Sequence, residues 1–241
     1  LGFLILIFLF SIFYFLFFSS TFQVKKVIIT GEKIVSPEEL KTFIEKQLEN
    51  KILFLKTKSI FLVNLNEIKK EILDNFPKIA EIETKRGFPD SLNVVIIERL
   101  GFALWCTNEQ CFLLDNEGII FEAAPPETNL IKIINKQNLE SPVLGEKVIE
   151  KENLSRIILK IAPELKTNLK IPIKEFQVSA EDKLITLTEE SWEIYFDLQN
   201  DIDWQLTKLR AVLEEKIPPE NRKDLEYIEV RFGNFPPFKY R

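Results

Sequence analysis

The sequence begins with a long apolar run, and this feature limits most strongly what the chain can be. Residues 1–18 hold fifteen Leu, Ile and Phe, interrupted only by Gly2, Ser11 and Tyr14, and the first charged residue is Lys25. As a helix, a segment of this length extends about 27 Å, close to the hydrocarbon thickness of a bilayer. Apolar side chains worth about −0.4 kcal/mol each would contribute about −6 kcal/mol to insertion. We therefore predict a transmembrane anchor over residues 1–21.

Two other structures are compatible with an apolar N-terminal helix: a buried core helix and a cleaved signal peptide. A core helix would have a polar face, which this run lacks, and a signal peptide would have a shorter run and a small-residue cleavage site. Ser19, Ser20 and Thr21 imitate such a site only weakly. Charge does not orient the anchor, because Lys25 and Lys26 lie on one side and no upstream flank is present for comparison. The sequence contains no Met, so we expect that native N-terminal residues are missing from it.

The composition excludes several functional classes. The chain has 37 acidic and 32 basic residues, and this excess of acid provides no basic face for a nucleic acid. It has no His, which excludes Ser-His-Asp and Cys-His catalysis and His-ligated zinc within the chain. Two Cys are too few for a disulfide scaffold or a four-Cys metal site. We expect a non-enzymatic protein without cofactor, metal, nucleic acid or small-molecule substrate.

The two cysteines, Cys106 and Cys111, flank a polar stretch over residues 107–110 that separates two apolar runs. If this segment is a hairpin, the two thiols stand opposite each other and could form a disulfide in an oxidising compartment. The alternative is a pair of unpaired strand cysteines. A few residues later, Asp115 lies in an apolar run before Gly118. With no partner carboxylate nearby, we expect Asp115 to hydrogen-bond its own turn and Gly118 to adopt a positive φ.

The pattern of residues 22–99 predicts a β-α-α-β-β unit. Ser36 and Asn64 each begin a helix with a capping box, and Pro77 ends the second helix. Residues 100–241 predict short strands, a helix that ends near Pro163, and a second helix with Leu209 on its apolar face. The predicted fold class is α+β: a transmembrane helix, a domain over residues 22–99, and a mixed α/β domain over residues 100–241 built on a largely antiparallel sheet.

Several short segments, taken in their order and spacing, resemble the POTRA and β domains of the bacterial cell-division proteins FtsQ/DivIB. In the first domain they are residues 27–31, 36–40, 76–79, 86–92 and 97–99. In the second domain they are the strand-turn-strand over residues 111–122 and the last strand, where Glu229 replaces the usual Asp. The resemblance covers residues 22–232 and is weakest over residues 125–174.

This resemblance implies a single-pass scaffold of the division machinery, with its domains outside the cytoplasm at the septum of the inner membrane. The implied partners are FtsB/DivIC-like and FtsL-like coiled-coil membrane proteins, and indirectly the septal wall synthases. An alternative is a POTRA-type chaperone or secretion and outer-membrane assembly factor, although the chain has no room for the β-barrel that usually follows. A membrane-anchored hydrolase is a third class, and it lacks a visible nucleophile and base.

We place the partner site on the last strand, because a C-terminal strand at a sheet edge offers main-chain groups to an added strand. In this prediction Arg231 pairs with a partner carboxylate and Phe232 anchors an apolar side chain. The alternative is that the strand only closes the domain, with Phe232 in the core and Arg231 in solvent. The residues of the predicted site are Tyr227, Glu229, Val230, Arg231 and Phe232, with Lys208 and Leu209 of the preceding helix as a second wall.

Overall fold

A computed structural model describes residues 2–52, 54–107, 110–137, 142–180 and 182–241. The chain divides into two compact units, Leu1–Arg99 and Leu100–Arg241. Each unit has its own sheet and its own apolar core, so the architecture is mixed α+β.

The first unit begins with helix α1 (Gly2–Phe18), which has no buried residue. Helix α1 ends at Phe18, where polar residues begin a turn, whereas the predicted anchor extends over residues 1–21. Side chains of the folded unit bind its last carbonyls: Ser59 Oγ donates to Leu16 O over 3.0 Å, and Gln23 Nε2 donates to Phe17 O over 3.0 Å. Among the described residues, no helix is both long enough and apolar enough to cross a membrane.

The rest of the first unit packs two helices on one face of a three-stranded sheet. The sheet order is β1-β5-β4, with β1 parallel and β4 antiparallel to the central strand. Both predicted caps are confirmed: the side chains of Ser36 and Asn64 accept the N–H groups of Glu39 and Glu67 over 3.3 Å. The β-α-α-β-β order is confirmed, with a small hairpin added between the helices. The elements are β1 (Lys26–Thr30), α2 (Pro37–Gln47), β2 (Asn50–Ile52), β3 (Leu55–Thr57), α3 (Leu65–Asn75), β4 (Ile79–Gly87) and β5 (Ser91–Glu98).

Charged side chains tie the loops of this unit to its sheet. The Glu98 carboxylate at the end of β5 accepts the N–H groups of Lys33, Ile34 and Val35 over 2.8–3.1 Å. Burial acts to raise the pKa of Glu98, but these N–H groups together hold it below its ordinary value. From β4, Arg86 donates to the carbonyls of residues 60 and 63 over 2.8 and 2.7 Å. These contacts give a structural reason for two of the segments that carry the sequence resemblance.

The second unit is built on a nine-stranded sheet of order β14-β13-β12-β11-β10-β9-β6-β7-β8. Most neighbouring strands are antiparallel, which confirms the predicted sheet, and β12-β13, β9-β10 and β6-β9 are parallel. Its elements are β6 (Ala103–Thr107), β7 (Gln110–Leu114), β8 (Ile120–Ala123), β9 (Lys132–Asn135), α4 (Lys151–Ser155), β10 (Ile173–Val178), β11 (Lys183–Thr188), β12 (Glu193–Asp197), α5 (Ile202–Glu215), β13 (Leu225–Glu229) and β14 (Phe238–Tyr240).

The prediction that the helix after residue 151 ends near Pro163 is wrong. Helix α4 continues as two π-helical segments, Arg156–Ile161 and Glu164–Asn168, and passes through Pro163. At the end of the first segment, the N–H of Ala162 reaches back five residues to Ile157 O. Because this wider hydrogen-bonding pattern is already present, the missing N–H of proline does not end the helix.

The turn after β7 has the predicted chemistry. Asp115 is buried and its Oδ1 accepts the N–H groups of Glu117 and Ile119, each over 2.9 Å. Gly118 has φ +83°, and a Cβ there would lie 1.9 Å from Ile149 O, so only glycine fits. Asp115 is therefore a structural residue of this turn.

In the β6-β7 hairpin, Cys106 and Cys111 occupy directly opposite positions and are joined by a disulfide. The arrangement in the structure is thus the bridged one rather than two unpaired thiols. The turn of the predicted hairpin includes residues 108–109, which lie outside the described residues. The bridge fastens the end of two strands that pair along their whole length.

Candidate partner-binding site

Strand β13 carries two residues of the predicted site, Tyr227 and Glu229, and is held on both sides. It runs parallel to β12, with Tyr227 opposite Glu193 and Glu229 opposite Tyr195. Ile228 and Val230 are fully buried in the core, as the alternating pattern predicts, whereas Tyr227 and Glu229 are half-buried on the other face. Of the predicted site residues on this segment, Val230 therefore supports the strand and presents no side chain to a partner.

The prediction that the last long strand forms the sheet edge is wrong. Strand β14 pairs with β13 in antiparallel register and takes the edge position. The N–H of Glu229 donates to Pro237 O over 2.9 Å, so the main chain that we expected to be free is already occupied. The intervening segment turns back at Gly233, which has φ +61°. A three-residue strand shows too little alternation to be found in a sequence, which explains the error.

The prediction paired Arg231 with a carboxylate of the partner, but in the structure its guanidinium already binds a carboxylate of this chain. Its Nε and Nη2 donate to the two carboxylate oxygens of Glu229 over 2.8 and 2.7 Å. Both side chains are mostly covered, with 17% and 12% of their surface exposed. The hydrogen bond to Glu229 raises the pKa of the Arg231 guanidinium, and bidentate geometry of this kind is among the stronger ion pairs. The alternative, in which Arg231 is solvated, is also excluded.

Next to this ion pair lie two stacked tyrosines, which the sequence analysis did not bring together. The rings of Tyr195 and Tyr227 are 5.4 Å apart and nearly parallel. Burial, together with the hydrogen bond from its hydroxyl to Glu193, raises the pKa of Tyr195. The Arg231 guanidinium lies 5.9 Å from the Tyr195 ring centre. No local signal links residues that lie 32 positions apart in the sequence, so only the parallel pairing of β12 and β13 reveals this cluster.

The two helix residues of the predicted site do not form a wall that a partner could touch. Leu209 is completely buried in the core of the second unit. Lys208 is 4% exposed, and its Nζ donates to the carbonyls of Phe232 and Gly233 over 3.3 and 3.0 Å. Burial lowers the pKa of Lys208. Lys208 therefore positions the loop that follows β13.

The loop that Lys208 holds displays the exposed part of the site. Phe232 is 61% exposed, so the alternative that placed it in the core is wrong, and the Arg231 guanidinium lies 4.7 Å from its ring centre. Phe235, which the sequence analysis did not select, is 90% exposed. We call Tyr227, Glu229, Arg231, Phe232 and Phe235 the C-terminal surface. It combines exposed aromatic rings with a fixed ion pair, a composition common at protein interfaces.

The fold and the C-terminal surface define a class of protein. In this class a POTRA unit is followed by a unit that is built on a large sheet and carries a candidate protein-binding surface. Among the described residues, no group of His, Cys, Asp and Glu could hold a metal ion. Comparison with known families agrees with the two units. A model of the POTRA domain, FtsQ-type, matches residues 22–99, and a model of the cell division protein FtsQ/DivIB C-terminal domain matches residues 103–231. The chain belongs to the FtsQ/DivIB family.

Curated relatives support the same assignment. The cell division protein FtsQ of Chloroflexus aurantiacus is 30% identical over 132 residues, which are 54% of this chain and 44% of that protein. The cell division protein DivIB of Clostridium tetani is 25% identical over 221 residues, 89% of this chain and 78% of that protein. The FtsQ of Rickettsia bellii is 32% identical over 48% of this chain and 40% of its own length. The match thus spans less than half of the Chloroflexus and Rickettsia proteins.

Proposed function

We propose that this protein is a non-enzymatic scaffold of bacterial cell division, which recruits or stabilises other division proteins at the septum. The observation that supports this proposal best is the match of two family models, in chain order, to the two units of the structure. The relatives carry the names of cell-division proteins across distant bacteria. In this role the scaffold would link early division proteins to septal wall synthesis.

The proposed partners are FtsB/DivIC-like and FtsL-like coiled-coil membrane proteins, bound at the C-terminal surface. Phe232 and Phe235 would insert into apolar grooves of the partner, because each exposes a large ring that the fold itself does not bury. The Glu229–Arg231 pair would recognise polar groups as a unit. Since β14 covers β13, a partner strand would pair with the outer side of β14, which has no other neighbour among the described strands.

Co-purification with the cognate FtsB-like and FtsL-like proteins tests the proposal directly. The variant Phe232→Ala removes an exposed ring without opening the core, so we expect weaker partner binding by more than about 1 kcal/mol with an unchanged melting temperature. Phe54→Ala is the matched control, since Phe54 is 97% exposed in the other unit. Equal loss in both variants would argue against the C-terminal surface. Failure of the wild-type chain to retain either partner would refute the scaffold role itself.

The variant Arg231→Glu tests the same surface through its charge. It would place two carboxylates where a bidentate pair now lies, so it should weaken binding and also cost stability. The exchanged double variant Glu229→Arg/Arg231→Glu restores opposite charges. Recovery of the melting temperature without recovery of binding would support recognition of this pair by the partner, whereas recovery of both would leave it a purely structural contact.

We also propose that α1 attaches the chain to the inner membrane, with both folded units outside the cytoplasm. Two observations support this arrangement: the apolar side chains of α1 are exposed up to Phe15, and the Cys106–Cys111 bridge suits an oxidising compartment. The 17 described residues of α1 fall short of a full span, so this proposal depends on these two observations. A phosphatase that is active only in the periplasm, fused after Arg241, should be active. An inactive fusion in a stable, membrane-bound protein would indicate the opposite orientation. Recovery of the protein in the soluble fraction would refute the membrane anchor.

A further inference from the structure

A groove of about 810 Å³ opens in the second unit, away from the C-terminal surface. Its walls are the segment that leads into β9, the π-helical segments after α4, and the first half of β10. The floor is apolar and is formed by Ile131, Ile158, Ala162 and Phe176. In the sheet order, β11 and β12 separate this groove from β13, so the groove is a separate site. Its volume is in the range of binding pockets.

The rim of the groove is basic, although the chain as a whole is acidic. Lys132, Lys166, Lys170 and Lys174 all line it. Lys132 lies 4.0 Å from the carboxylate of Glu175, which also lines the groove. Among the ion pairs of the described residues, none involves the other three lysines, and all three are exposed. The groove therefore has a surplus of positive charge in a chain of net charge −5.

The groove also offers main-chain groups, because two strands separate along its length. Strand β9 pairs with β10 only at Phe176, Gln177 and Val178. Among the described residues, Ile173 and Glu175 of β10 pair with β11 alone, and the register shifts at Lys174 between them. The residue before β9 is bonded to β6 on the other side, because Leu104 N–H donates to Ile131 O over 2.8 Å. The first half of β10 thus has one side open inside the groove, although β10 is a central strand.

We propose that this groove binds an extended acidic segment of a protein partner, with its apolar side chains on the floor and its carboxylates beside the rim lysines. The apolar side chains of the segment would contact the floor, its carboxylates would pair with the ammonium groups of the rim, and its main chain would hydrogen-bond the open side of β10. A peptide uses all three features. An anionic lipid would use only the first two, since its hydrocarbon chain cannot pair with the open side of a strand.

The test measures binding of a fluorescein-labelled peptide of twelve alternating Glu and Leu residues to the full chain in phosphatidylcholine nanodiscs. We expect saturable binding that weakens as salt is raised, because the rim contacts are exposed. A peptide of alternating Lys and Leu should not bind. The same Glu-Leu peptide with N-methyl groups at alternate residues should bind at least about tenfold more weakly, since it cannot complete a strand ladder.

Charge reversal locates the binding. The double variant Lys166→Glu/Lys174→Glu should weaken the Glu-Leu peptide at least about tenfold. Its matched control is Lys136→Glu/Lys223→Glu, which makes the same change of charge at exposed lysines of the same unit outside the groove and should change affinity less than about twofold. Equal effects of the two double variants would overturn the assignment to the groove. Equal binding of the N-methylated peptide would overturn strand pairing, and a dansyl-labelled fatty acid that binds in place of the peptide would overturn the peptide ligand.

Discussion

The contact between Glu98 and the loop over residues 33–35 permits a quantitative prediction. The Glu98 carboxylate is the shared acceptor of three backbone N–H groups. Hydrogen bonds to a charged group are worth about 1.5–3 kcal/mol each when well protected. Glu98→Gln keeps the shape and one acceptor but removes the charge, and the site is partly open to water. We therefore expect a loss near the low end, about 2 kcal/mol in the free energy of unfolding of the first unit.

For a unit of this size, such a loss lowers the melting temperature by about 8–16 °C. Circular dichroism follows the melting of both units. Trp fluorescence follows only the second unit, because Trp105, Trp192 and Trp204 all lie there. The fluorescence transition should stay unchanged in the variant. Glu81→Gln, at an exposed position of β4 in the same unit, is the matched control and should alter the circular dichroism transition little.

The dependence on pH gives a second test of the same contact. The pKa of Glu98 is lowered in the folded state, so its stabilisation is present above the unfolded pKa near 4.5 and is lost as pH falls through the folded pKa. The difference between wild type and Glu98→Gln should therefore be largest at neutral pH and disappear in acid. Equal stability of the two proteins at pH 7, or a difference that persists unchanged at low pH, would refute the argument.

Three further predictions concern the second unit. Gly118→Ala should lower the unfolding free energy of this unit by more than about 2 kcal/mol, because the new Cβ would meet Ile149 O at 1.9 Å. Trp fluorescence in denaturant measures the change, and a neutral result would mean that the turn can rearrange. Replacing Cys106 and Cys111 with Ser should cost about 2 kcal/mol or less, since the bridge closes a short loop, and uptake of two alkyl groups by the unreduced native protein would show that the thiols are free. Truncation after Phe235 removes β14 and the Phe238 side chain that packs on the core, so both the melting temperature and the solubility should fall; unchanged values for both would show that β14 adds nothing.

Local chemistry made much of this protein predictable from its sequence. The caps at Ser36 and Asn64 depend on side chains three residues from the groups that they bind, and the turn at Asp115 depends on residues two and four positions away. Such contacts are readable because their spacing is constant in every protein that uses them. The alternation of the last strand likewise identified Ile228 and Val230 as core residues.

The candidate site was predictable only in outline, because its chemistry depends on contacts that the pattern does not encode. The sequence placed Arg231 on the outer face of a strand, but it could not show that Glu229 would bind the guanidinium on both oxygens. It also assigned Leu209 to the apolar face of a helix and to the site at once. In the structure that apolar face is the core, so Leu209 is buried and only Lys208 reaches the loop.

By itself, the sequence determined the apolar N-terminal helix, the order of elements in the first unit and the family, because each of these depends on composition or on short, repeated spacings. The tertiary structure alone decided which strand forms the sheet edge, since the three residues of β14 show no periodicity and gain their place only by pairing with β13. It alone created the groove, whose lysines lie between positions 132 and 174 in the sequence. Such sites exist only where strands diverge and distant segments meet, and no local pattern records that meeting.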